Sequence, residues 1–145
     1  MKFFATTLSL ALAATSVVAQ RAYIAQPTMG SDVQAGSTIT IEVDRPNFQS
    51  SALEVAVVLG IQSCTTATCR DPEEWFGPAM ILYNGPYNPQ YATPAGRLPP
   101  HQNFTVQIPE TMAKGTAQIN LAHFNMVGAS LGPTLQFDSV QVNIV

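Results

Sequence analysis

The chain has 145 residues, 46% of them hydrophobic and only 10% charged, with a formal net charge of −3. Its basic residues, Lys2, Arg21, Arg45, Arg70, Arg97 and Lys114, are scattered and form no stripe for phosphates, which argues against a nucleic-acid partner. The length suits one domain with one core, and so few charges leave the surface to Thr, Ser, Asn and Gln.

Lys2 precedes the apolar stretch Phe3–Val18, and Ala19 closes it with a small residue. This reads as a secretory signal peptide over 1–19, leaving a domain over 20–145. No second apolar run reaches membrane-spanning length, so a secreted, extracellular protein is expected. In that compartment Cys64 and Cys69, the only cysteines, are expected to pair. So small a loop contributes roughly 2 kcal/mol, a staple on one turn. A metal site lacks ligands, because neither His lies near the two cysteines in sequence.

In chain order, Ala22, Ile24 and Gln26 alternate against Tyr23 and Ala25, a first strand stopped by Pro27. Thr28–Gly36 is turn-rich. Ser37–Asp44 points Ile39, Ile41 and Val43 inward, with Thr38, Thr40, Glu42 and Asp44 outward. Leu53–Cys69 is the longest β-rich run. Val55, Val57, Leu59 and Ile61 are predicted on its buried face, and Glu54, Ala56, Val58, Gly60 and Gln62 on the other. Its β-branched residues and lack of Pro favour strand over helix.

Arg70–Pro78 is a polar loop carrying Trp75 and Phe76, and Ala79–Tyr83 a short apolar strand. Asn84–Pro100 holds five Pro and two Gly, a composition that supports no core element. Gln102–Ile108 turns Phe104, Val106 and Ile108 inward. Pro109–Gly115 is a turn. In Thr116–Met126, Ala117, Ile119 and Leu121 share a face with His123 in phase behind them. After the turn Val127–Pro133, the last strand changes phase. Leu135 and Phe137 fit one alternation and Val140, Val142 and Ile144 the other, so a bulge near Asp138–Ser139 is expected. About seven strands and no long helix predict an all-β fold, a single antiparallel two-sheet sandwich of immunoglobulin or fibronectin-III type.

Gly128-Ala129-Ser130-Leu131-Gly132 matches the nucleophile-elbow pattern G-x-S-x-G, but no helix or His follows Ser130, so a turn explains it better. His123 reads as a core histidine, and His101 as an exposed loop residue. A copper monooxygenase of the fungal β-sandwich kind needs a mature N-terminal His, whereas cleavage after Ala19 would expose Gln20. Asp71, Glu73 and Glu74 form the one acidic cluster, closer to a solvated edge than to a glycosidase pair across a cleft. Trp75 beside them is either a contact residue or part of a satellite core. Tyr83, Tyr87 and Tyr91 recur on a stiff, Pro-rich loop. There they either pin the loop, favoured for Tyr83 and Tyr87, or face a partner. Asn103-Phe104-Thr105 is the one glycosylation sequon, and alternation places Asn103 outside.

The stretches QRAYIAQPTMGSDVQAGSTITIEVDRP, EVAVVLGIQSC, ILYNGPYNPQY, HQNFTVQIPE and GTAQINLAHFNMVGA stand in this order. Together they resemble the necrosis-inducing secreted effector family of filamentous fungi, with LYNGPYNPQY and GTAQINLAHF the most specific parts. The resemblance implies a secreted effector that binds plant immune receptor kinases, suppressing pattern-triggered immunity and inducing cell death. It carries no catalytic motif, metal or cofactor. The expected function is therefore a non-enzymatic one, binding a host protein. Its contacts are assigned to two loops, through Glu73, Glu74 and Trp75 in one and Tyr87, Tyr91 and Arg97 in the other. A secreted cell-wall or carbohydrate-binding module is the alternative. A small hydrolase comes third and needs a cleft joining His123 to an acid or Ser.

Overall fold

A computed structural model describes residues 21–47, 50–64, 68–74, 76, 80–94 and 96–145. The signal peptide expected over 1–19 and Trp75 lie outside the described residues. The described residues form eight strands and no helix: β1 (Tyr23–Gln26), β2 (Asp32–Val33), β3 (Thr38–Asp44), β4 (Ala52–Ser63), β5 (Met80–Pro86), β6 (His101–Gln107), β7 (Gly115–Val127) and β8 (Gly132–Ile144). They make two sheets, one of three strands in the order β1-β3-β6 and one of five in the order β2-β8-β7-β4-β5. One apolar cluster takes side chains from both, with Ile41, Val43 and Phe104 from the first and Val57, Leu59 and Leu121 from the second.

The inward sets of β3, β6 and β7 fall where alternation puts them, since Ile41, Val43, Phe104, Val106, Ala117, Ile119 and Leu121 are all buried. Four expectations are corrected. The strand count is eight rather than about seven, because β2 forms inside the turn-rich connection. The turn at Thr28–Ser31, closed by Ser31 N donating to Thr28 O and holding Gly30 at φ 79°, lays β2 along the end of β8. That pair is parallel, so the strands are not all antiparallel.

Asp44, expected outside, is buried, and its carboxylate accepts a hydrogen bond from Tyr23 Oη at 3.0 Å. The two remaining corrections concern bulges. β8 pairs with β7 in unbroken register from Gly132–Val127 to Ile144–Gly115, with no bulge near Asp138–Ser139. The phase change is instead real, with Val140, Val142 and Ile144 facing the core and Leu135 and Phe137 facing away. β4 does carry a bulge against β7, where Glu54 opposes Asn125 and Ala56 opposes Phe124. The extra residue is Val55. It turns Glu54 to the face of Asn125 and leaves Val55 exposed, the reverse of the expected assignment.

Candidate functional site

The face of the five-stranded sheet that points away from the core divides into two halves. Opposed residues share a face, so register fixes its rows. Leu53, Met126 and Pro133 form the first row, Ala56, Phe124 and Leu135 the second, and Val58, Ala122 and Phe137 the third. Beyond them come Gly60, Asn120 and Ser139, then Gln62, Gln118 and Gln141. The segment Cys64–Phe76 lies over this polar half. Gln118 Nε2 donates to Arg70 O at 2.8 Å, and Gln118 and Asn120 are buried. The Cys64–Cys69 disulfide anchors the segment, and the Phe76 ring meets Phe137 at 6.1 Å where cover ends. The apolar half stays open, with Leu53 54%, Phe124 37% and Leu135 59% exposed. A sheet normally covers its apolar residues and leaves its amides wet. An uncovered apolar patch of this kind marks a surface built for a partner.

A second arrangement lies under the Pro-rich loop. The bulge in β4 points Glu54 at β7, where its Oε2 accepts from His123 Nε2 at 2.5 Å. Arg45, just past β3, donates from Nε to Glu54 Oε1 at 2.8 Å. His123 Nδ1 faces the Gln136 amide oxygen at 3.3 Å, which a neutral ring satisfies once that amide turns its nitrogen inward. Burial pushes the Glu54 carboxyl up, but bonds from His123 and Arg45 outweigh it and hold the group below its ordinary value.

A cleft of about 230 Å³, lined by Arg45, Asn47, Ser50, Glu54, Pro89 and Pro100 among others, opens beside this cluster. His123 is fully buried, and both its ring nitrogens are engaged within the protein. The pair therefore holds three strands together rather than offering a base to a substrate. Arg45 and Glu54 escaped the sequence reading because nothing in the residue pattern places a bulge at Val55.

The two expected contact loops do not come together. Glu73 and Glu74 are exposed on the segment over the outer face, and Glu73 pairs with Arg21. Tyr91 and Arg97 are exposed at the opposite end of β4, where Tyr91 Oη donates to Asn47 at 2.8 Å. Tyr87 is corrected as a contact residue. It is 2% exposed, its hydroxyl donates to Val43 O at 3.1 Å and its ring meets His123 edge-on, so it pins the loop and has no surface to offer. Tyr83 pins likewise, donating to Pro86 O and packing 4.5 Å from Phe104. His101, expected to be exposed, is half-buried with Nδ1 2.9 Å from Pro99 O. Asn103 and Thr105 are exposed on either side of buried Phe104. Leu131 and Gly132 lie in and after a plain turn between β7 and β8. No three of His, Cys, Asp and Glu converge at metal-binding spacing among the described residues.

The chain belongs to the Nis1 family, whose sequence profile matches residues 20–143. No curated protein matches it. In fold it is similar to a single-residue variant of the superoxide reductase (neelaredoxin) from Ignicoccus hospitalis, at 12% identity and a TM-score of 0.51, covering 88% of this chain and 82% of that one. It is also similar to the fusolin of Wiseana spp. entomopoxvirus spindles, at 14% identity and a TM-score of 0.50. There the likeness covers 81% of this chain but 43% of the viral protein. Identities this low speak to fold alone.

Proposed function

We propose that this Nis1-family chain is a secreted, non-enzymatic effector that binds plant immune receptor kinases, and that its two sheets form an immunoglobulin- or fibronectin-III-like sandwich. Secretion follows from the signal-like segment 1–19 and agrees with the Cys64–Cys69 disulfide. The receptor-kinase partner, with immune suppression and cell death as its consequence, rests on the family resemblance. The observation that carries a binding role is the open apolar half of the outer face, around Leu53, Phe124 and Leu135. Desolvating such a patch supplies the driving force of an interface core, and the charges of Glu73 and Glu74 beside it form a polar rim.

The test is titration of the folded 20–145 domain with purified plant immune receptor kinase domains. Saturable binding at about 1 μM or tighter is expected, lowered at least tenfold in Leu53→Ser and Leu135→Ser. Lack of binding to every such kinase domain by a folded sample would overturn the assignment of partner. Full affinity in both variants would overturn the assignment of surface.

A further inference from the structure

A second cavity, independent of the kinase reading, lies at the edge of the covered half of the outer face. It is a cleft of about 340 Å³ between the Cys69–Glu73 segment and β8. Gln118, Phe137, Ser139 and Gln141 line it from the sheet, and Arg70 and Glu73 from the segment above. We infer that this cleft binds a neutral pyranose of a glycan chain.

Four features fix that ligand class. The volume falls in the range of ligand sites, roughly 300–1,000 Å³. Phe137 offers a flat apolar ring, backed by Phe76, which suits the C–H face of a sugar. Around it stand two amides and a hydroxyl, groups that both donate and accept, as sugar hydroxyls do. The Gln118 amide is held by its bonds to Arg70 O at 2.8 Å and Asn120 Oδ1 at 2.7 Å, so little freedom is lost when a ligand arrives.

The charges at the rim select against ions. Arg21 is paired with Glu73, and the Asp71 carboxylate accepts from Glu73 N at 2.9 Å. An anion would meet Glu73 and Asp138, and a cation would meet Arg21 and Arg70. A neutral, hydroxyl-rich ring meets no such opposition.

The experiment is titration calorimetry and side-chain amide NMR on the disulfide-intact 20–145 domain. Chitohexaose and laminarihexaose are the probes, an N-acetylglucosamine and a glucose polymer, with an oligogalacturonate as the anionic control. Expected is saturable binding of one neutral probe with a Kd of about 1 mM or tighter, moving the Gln118 and Gln141 amide signals. Gln141→Ala and Ser139→Ala should each weaken it by roughly three- to tenfold, while Thr40→Ala on the other sheet leaves it unchanged. Both positions lie outside the core cluster, so the variants should fold. Binding of neither neutral probe, preference for the oligogalacturonate, or full affinity in both variants would each overturn the inference. None of these outcomes bears on kinase binding.

Discussion

Glu54 and Asp138 are two carboxylates whose environments pull stability in opposite directions with pH. Glu54 is held below its ordinary value in the folded state, burial raising it but His123 and Arg45 prevailing. Its contribution is therefore present above the ordinary carboxylate range and fades as pH falls through the folded value. Asp138 is raised, chiefly by burial, although Ile24 N donates to it at 2.8 Å. The folded state then holds that proton more tightly, and stability falls as pH rises from the ordinary carboxylate value to the raised one.

Urea unfolding across pH 3–8 separates the two. Glu54→Gln should lower stability at neutral pH by about 2 kcal/mol and flatten the acid limb. Asp138→Asn keeps an acceptor for Ile24 N and should remove the loss above the ordinary carboxylate range. Parallel profiles for wild type and both variants would contradict the assignment. Tyrosines divide in the same way. Tyr87→Phe loses the bond to buried Val43 O and should destabilise by about 1 kcal/mol, whereas Tyr91→Phe, at an exposed site, should change stability by less than about 0.5 kcal/mol.

Among the elements, β3, β6 and β7 are legible in the sequence because each buries one face and keeps period 2 without interruption. β4 and β8 show where that logic stops. In β8 two apolar phases meet, and a bulge is the economical explanation if both face one core. The strand keeps its register instead, because its outer face is apolar at one end. In β4 the pattern gives no sign of a bulge, yet one is there and turns a carboxylate toward the core face. Alternation reports parity, and a bulge changes parity without changing composition. β2 is hidden because two residues carry no period.

The Cys64–Cys69 staple is readable, but the segment's path over Gln118 and Asn120 is not. Removing the staple with Cys64→Ser/Cys69→Ser should lower unfolding free energy by roughly 2 kcal/mol. It should also speed hydrogen exchange in the segment and at the Gln118 side chain, while β3 and β6 exchange as before. Unchanged exchange over the polar half would mean that the segment holds without its anchor.

At the scale of the whole molecule, the two loops expected to share a partner stand at opposite ends of β4. Its twelve residues span roughly 40 Å at about 3.3 Å each. A standard interface buries about 800 Å² on each side, a patch narrower than that span. One partner therefore cannot rest on the apolar half and grip both loops. Glu74 belongs to the segment lying over the outer face, whose Phe76 touches Phe137 at the border of the apolar rows. Tyr91 and Arg97 belong to the connection into the three-stranded sheet, beside Asn47. A partner seated on Leu53, Phe124 and Leu135 thus meets Glu74 at its rim and misses Tyr91. Glu74→Lys should slow association with a receptor kinase domain several-fold at low salt, with the difference shrinking as salt screens it. Tyr91→Ala/Arg97→Ala should leave the affinity within twofold. If the second variant weakens binding and Glu74→Lys does not, the partner sits at the proline-rich end and the open apolar half serves something else.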